Sequence, residues 1–464
     1  MDAAEGVTDV GGARLERTIG LPAAVALYCG AVLGTGILVL PAIAAERAGP
    51  ASLVAWIGLS LLSLPMALTF AALARKEPVA GGFSAYVDRA FGRRWGAIAG
   101  WLFLAQVPIG TVVAGLIAGA YLAAPLGLGR GGVFALGGAV IAVAYALNFL
   151  GLRIAGWTQL AATAGVLLLV VVVLVASVGD VHPAAFHPFV PAGWPAVGGA
   201  AAQLFWAFVG WEAITPLAEE FRNPERDLVR ASVISVAIVA VIYTALAWVT
   251  IGTHAYGGAA GGLPPFARMA ATAFGPRALA VVGIAGGVLS LLPINAYVAG
   301  TSRLVYALAK KGDLPSWAAA LHPRTKVPHR ALIALAGSGA IALVVCYLRD
   351  LDMGTLLPLS TSSFIATYVL SMAAALKLLK GRNVLFALLG LIGCLAVLAC
   401  VGALVLWLVA VSLAALTYVG VTNRRRTRRL GQTAVLTGPG LAATGCGRGA
   451  ARSPRSGRPR PPSR

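Results

Sequence analysis

Between residues 18 and 420 the chain is a succession of apolar runs, separated by short polar segments. Many of these runs reach 18 or more residues, enough for a helix to cross ~30 Å of hydrocarbon. No water is available at that depth, so each backbone N–H and C=O must find its partner within the protein. A helix meets that demand inside one segment, and an open strand edge does not. The runs therefore predict an all-α integral membrane protein. The composition agrees, with 59% hydrophobic and only 11% charged residues, against about a quarter charged in soluble domains.

About twelve transmembrane helices are expected, at roughly 18–44, 51–73, 95–122, 132–150, 156–178, 196–218, 230–252, 278–301, 331–348, 354–376, 384–401 and 403–420. The last two divide an uncharged stretch of 37 residues. As one helix it would be about 55 Å long, so a tight turn is placed near Gly402. The chain then divides into an N-terminal segment 1–17, a core of helices 1–10 over 18–378, helices 11–12 over 379–421, and a basic tail over 422–464 expected to be disordered. No cleaved signal peptide is expected at the N-terminus.

The net charge of +20 invites a nucleic-acid reading, but its distribution argues against one. Of the 36 Lys and Arg residues, 11 follow Val421, with no acid among them. With both termini cytoplasmic, only Arg47, Arg130, Arg268, Arg277 and Arg349 fall in outer loops. That asymmetry is the positive-inside pattern of a multi-pass protein of the cell membrane. The arginines of the tail, such as Arg424 to Arg426, would also suit anionic lipid. The five cysteines are scattered, no metal-ligand spacing occurs, and the five histidines form no helical pair. No metal, cofactor or nucleic-acid partner is expected. Clusters typical of intramembrane enzymes are absent from the sequence, as are the charge rings of a channel.

Two of the runs are interrupted. The first contains Gly30, Gly34, Thr35 and Gly36, then Pro41. Glycine is a poor helix former and permits unusual backbone geometry. A helix restarting near Ile37 would expose unpaired N–H groups and a positive dipole end, which suit a carboxylate. Gly30 and Gly34, four apart, equally suit close helix packing. The sixth run breaks at Val209-Gly210-Trp211, leaving carbonyls of the preceding turn to hold an ammonium group. The breaks lie in the first and sixth spans, five spans apart, as an inverted repeat of five plus five helices would place them. One carboxylate and one ammonium together describe an α-amino acid.

Four motifs in order make the chain resemble the amino acid–polyamine–organocation transporters over about residues 18–420: GAVLGTGILVLPA, Ala80-Gly81-Gly82 through Gly100-Trp101, WAFVGWE followed by EEFRNPERD, and SRLVYALAKKGDLP. The resemblance implies the five-plus-five fold with broken helices 1 and 6. Within that family, GWLFLAQVPIG and LAEEFRNPERDLVRA look most like bacterial exporters of methionine and branched-chain amino acids. Val229 departs from the Pro that many relatives carry before Arg-Ala.

The candidate substrate-binding residues are Gly34, Thr35, Gly36, Ile37, Trp206, Phe208, Val209, Gly210, Asn295 and Tyr297. Trp206 lies four residues before Gly210 and can face the same cavity. By resemblance it packs against bound substrate, and the region of Asn295 and Tyr297 contributes to the family's cavity. Gln106 and Ser360 to Ser363 are buried polar groups that serve either a site or interhelical hydrogen bonds. Glu212 is the one acid placed inside a span. A carboxylate in hydrocarbon is costly unless paired or protonated, which makes proton binding accessible, and the resemblance implies a proton-coupling role. The fifth span has neither Lys nor Asp, so a tethered lysine cation is not expected there. The expected function is secondary transport, favouring proton-coupled export of methionine, leucine, isoleucine and valine. Uptake or exchange by the same fold is the alternative, sodium coupling stays open, and so does oligomeric state.

Overall fold

Interrupted apolar runs fold as interrupted helices, and the others as long continuous ones. The computed structural model describes residues 20–76, 82–151, 156–212, 221–257 and 263–436. Among these residues all regular secondary structure is helical, and nine helical stretches are long and apolar enough to cross a membrane.

The order begins with α1 (Leu21–Val32) and α2 (Gly36–Ala48), the two halves of the first run. There follow α3 (Ser52–Lys76), a short α4 (Gly82–Phe91), α5 (Arg93–Ala123), α6 (Arg130–Phe149) and α7 (Gly156–Ala176). The sixth run supplies only α8 (Trp194–Leu204) and a 3-10 turn over Phe205–Phe208 before its break. Next come α9 (Pro224–Gly252), a short α10 (Pro265–Phe274), α11 (Ala278–Lys311), α12 (His329–Leu348), α13 (Met353–Leu378), α14 (Arg382–Ala399) and α15 (Val405–Leu436).

The expected turn in the uncharged C-terminal stretch falls where proposed. α14 stops at Ala399, and Gly402 adopts φ +66°, a backbone state that a side chain resists. Three features were not anticipated. α4 and α10 are ten-residue helices inside segments read as loops. α11 runs ten residues beyond the expected end at 301. The tail expected to be disordered from 422 is helical as far as Leu436. The reason is local: Arg, Leu, Gln and Ala are good helix formers, and no proline occurs before Pro439. The chain separates into two units, 1–419 and 420–464. Residues 1–19 and 437–464 lie outside the described residues, as do 213–220.

The core of the first unit is aromatic and aliphatic. Trp56, Tyr28, Phe70, Phe205, Phe208, Tyr243 and Tyr368 are all essentially inaccessible. Trp56 packs on both Phe208 and Tyr243, with ring centroids 5.8 and 5.1 Å away. At the end of α11 a polar cluster joins three elements. Arg93 at the start of α5 pairs with the buried Asp313 at 2.7 Å, and Lys311 reaches Asp88 of α4 at 3.0 Å. The indole N–H of Trp101 donates to the backbone carbonyl of Asp313 at 3.1 Å.

Candidate functional site

The first interruption is built from three residues. Leu33 adopts φ −75° and ψ 68°, an inverse γ-turn, and the Gly34 amide accordingly donates to the Val32 carbonyl at 2.8 Å. The helix restarts at Gly36, with Ile37 and Leu38 donating back to Gly34 and Thr35 at 3.3 and 3.2 Å. The amides of Thr35 and Gly36 form no backbone hydrogen bond among the described residues. Two donors therefore stand at the positive end of α2, in the form that anions favour.

The second interruption lies beside the first. After the 3-10 turn, Val209 is extended at φ −84° and ψ 147°, and Gly210 takes φ +124°. A Cβ on Gly210 would stand 2.7 Å from the Ala31 carbonyl oxygen. Glycine is thus required there twice, for its backbone angle and for the approach of the two breaks. The Gly210 amide donates toward the Glu212 carboxylate at 3.1 Å and the Tyr368 hydroxyl at 3.1 Å. The Tyr368 hydroxyl in turn donates to the Glu212 carboxylate. Glu212 is half-buried, and its charge or proton is held by groups from the break and from α13.

One side chain spans both interruptions. The Tyr243 hydroxyl on α9 lies 2.9 Å from the carbonyl of Val32 and 2.9 Å from that of Ala207. A phenol has one proton, so the two orphaned carbonyls share it. α1 is tied to α9 at two further points. The Ser232 hydroxyl donates to Tyr28 at 3.0 Å, and that of Ser235 to the Val25 carbonyl at 3.3 Å. α2 is tied to α5 instead, where the Tyr121 hydroxyl donates to the Leu38 carbonyl at 2.8 Å.

Between the breaks lies a cavity, the concave setting in which small-molecule sites are found. One wall is Ala31, Val32 and Gly34 to Gly36, and the facing one is Trp206, Ala207 and Val209. α5 contributes Gln106, Val107, Gly110, Thr111 and Ala114, α11 contributes Pro293, Ile294 and Tyr297, and α13 contributes Phe364. Trp206 and Tyr297 both pack edge-on against Phe364, with centroids 5.8 and 6.0 Å away.

Of the residues singled out in the sequence, Gly34, Thr35, Gly36, Trp206, Val209, Tyr297 and Gln106 meet around this cavity. Ile37 and Phe208 do not line it and are fully buried in the core. Gly210 packs on Ala31 behind the cavity wall. Asn295 also stands apart from the lining, since its side-chain oxygen accepts from Asn148 of α6 at 2.8 Å. Ser360 contacts Gln106, while Thr361, Ser362 and Ser363 hydrogen-bond to carbonyls of their own helix. One expectation needs refinement: of the carbonyls left by the sixth-run break, that of Ala207 is engaged by Tyr243. Among the described residues no donor reaches those of Phe208 and Val209.

Sequence reasoning missed Tyr243, Tyr368, Phe364 and Gly110. The tyrosines are single phenols in apolar runs, and only the rule that a buried hydroxyl needs a partner marks them. Gly110 follows Pro108 by two residues, a faint sign of a special position in α5. A Cβ there would lie 2.7 Å from the Trp206 ring.

Comparison with known proteins bears on this site. A family model described as amino acid permease matches residues 19–429. The chain is 37% identical over 370 residues to an uncharacterized amino acid permease of Bacillus subtilis, covering 80% of this chain and 87% of that one. It is 33% identical over 394 residues to an L-methionine/branched-chain amino acid exporter of Escherichia coli, covering 84% and 92%. A branched-chain amino acid permease of Bacillus subtilis is 27% identical over 336 residues, covering 68% and 72%.

Proposed function

The chain belongs to the amino acid permease family, and on that premise we propose that it is a proton-coupled secondary transporter that exports neutral apolar amino acids. Methionine, leucine, isoleucine and valine are the substrates in view. The observation that carries the reading is the cavity between two helix interruptions. It has amide donors on one side, carbonyl acceptors on the other, and aromatic and aliphatic side chains across the remainder.

In this reading the substrate carboxylate sits at the amides of Thr35 and Gly36, where the α2 dipole favours negative charge. The ammonium group sits at the carbonyls around Phe208 and Val209. Trp206, Phe364 and Tyr297 enclose the side chain. No cationic or acidic side chain lines the cavity among the described residues, which accords with a neutral substrate better than with lysine or arginine. Glu212 takes up and releases the coupling proton through its contact with Tyr368 and Gly210, just behind the site. The likeness to the E. coli exporter favours export, and that to the branched-chain permease keeps uptake as the second reading.

Two features support the inverted repeat. The interruptions fall in the first and sixth runs. The short helices α4 and α10 follow α3 and α9 respectively, the run next after each interrupted one. Both termini are placed in the cytoplasm on the charge asymmetry of the loops.

Proteoliposomes loaded with radiolabelled methionine, leucine, lysine or arginine test the proposal. Efflux of methionine and leucine that accelerates under an imposed pH gradient is the expected result. Movement of the cationic amino acids alone would overturn the substrate assignment. Methionine and leucine efflux indifferent to the gradient would overturn the coupling.

A further inference from the structure

Most of the cavity wall is apolar or has its polar groups engaged. The Thr111 hydroxyl, for example, donates to the Val107 carbonyl at 2.6 Å. Beside the free backbone groups of the two interruptions, Gln106 is an exception. It lines the cavity and is 2% exposed. Its side-chain oxygen has a partner, since the Ser360 hydroxyl on α13 lies 3.3 Å from Oε1 and 3.3 Å from the Gln106 backbone carbonyl. Its amide nitrogen Nε2, which carries two N–H donors, is buried and has no hydrogen-bond partner among the described residues. A buried donor is rarely left unmade, because its hydration has been lost with nothing in exchange. An unpaired donor on the wall of a ligand cavity is a group reserved for the ligand.

In the pose proposed above the two interruptions hold the charged groups of the amino acid, which leaves Gln106, on the α5 wall with Val107 and Gly110, to meet the side chain. We propose that Gln106 determines specificity. On binding, its amide N–H donates to an acceptor atom in the substrate's side chain. The site thereby prefers a neutral side chain with such an acceptor, a thioether or an amide carbonyl, over an aliphatic chain of the same length. The inference rests on the amino acid transport proposed above. It singles out methionine among the four substrates in view, since leucine, isoleucine and valine offer no acceptor. A site with a polar group committed to the ligand discriminates against the analogue that leaves it unpaired. A thioether is a weak acceptor, so the preference is modest.

Methionine and norleucine, which differ by sulfur against methylene, provide the test. Purified full-length protein in proteoliposomes is assayed for radiolabelled leucine transport, with unlabelled methionine, norleucine or glutamine as competitors. The expected result is that methionine competes roughly 3- to 10-fold better than norleucine. In Gln106→Leu and Gln106→Met the ratio should fall to about 1, read on whatever labelled leucine transport each variant retains. Equal competition by methionine and norleucine in the unaltered protein overturns the inference, with no variant needed. A ratio that survives in either variant also overturns it. If leucine is not transported and methionine does not bind, the transport reading itself fails. Leucine transport with no methionine preference removes only the role of Gln106.

Discussion

Gly210 and Ala31 meet so closely that a β-carbon on the first would stand 2.7 Å from the carbonyl oxygen of the second. Two chain interruptions, distant in sequence, are therefore in direct backbone contact, and the cavity is what remains beside that contact. Gly210 also has φ +124°, a region that non-glycine residues enter at a cost of about 1–3 kcal/mol.

This contact predicts an asymmetry between the two glycine positions. Gly210→Ala should lower the thermal midpoint of the purified protein and abolish transport. Gly34→Ala should leave the midpoint nearly unchanged, because among the described residues a Cβ at Gly34 meets nothing within 4 Å. Thermal unfolding in detergent, read beside transport, checks both. Equal damage from the two substitutions would mean that the close approach at Gly210 does not hold the site together.

The Glu212 carboxylate accepts from the Gly210 amide and the Tyr368 hydroxyl. Glu212→Gln keeps the shape and removes the titrating group. Substrate exchange should continue in this variant, while acceleration of efflux by an imposed pH gradient disappears. A gradient response that survives would assign proton coupling elsewhere.

Tyr243→Phe removes one proton from between two buried carbonyls, those of Val32 and Ala207. A buried polar group left without its partner costs about 1–3 kcal/mol. The midpoint should fall and exchange should slow. Tyr121→Phe loses its bond at Leu38, outside the breaks, and should cost stability with less effect on exchange. Similar exchange rates in the two variants would argue against a special role for Tyr243.

Gly110→Ala would place a methyl group 2.7 Å from the Trp206 ring and 3.0 Å from the Ser360 hydroxyl. The indole must then move, and overpacking of this kind costs about 1–3 kcal/mol. Competition by methionine and leucine should weaken roughly tenfold or more, with alanine affected least. Uniform weakening for all amino acids would place Trp206 away from the side-chain end of the cavity.

Much of this architecture was legible in the residue order. Long apolar runs demand helices in a membrane, and the two glycine-marked stretches fall at the two interruptions. Trp206 lines the cavity while Gly210, four residues on, packs behind its wall, and Gly402 makes its turn because the uncharged stretch is too long for one helix. Other assignments were indifferent to local pattern. Asn295 and Gln106 are both amides in apolar helices, yet one is bound to Asn148 and the other faces the cavity. Nothing in their neighbouring residues distinguishes them, since partner choice depends on which helix lies opposite. Over 422–436 the reason is different: charge suggests disorder, while good helix formers carry the helix on to Leu436.

The sequence by itself determined that the chain is helical, that it belongs in a membrane, and where its helices come apart. Those properties follow from short-range demands, the length of an apolar run and the backbone freedom of glycine. The tertiary structure alone decided that the interruptions touch, that one tyrosine from α9 serves both, and that the Gln106 amide nitrogen finds no partner among the described residues. Such outcomes depend on packing between helices far apart in the chain, where a hydrogen bond is made or missed by a few ångströms that no local pattern encodes.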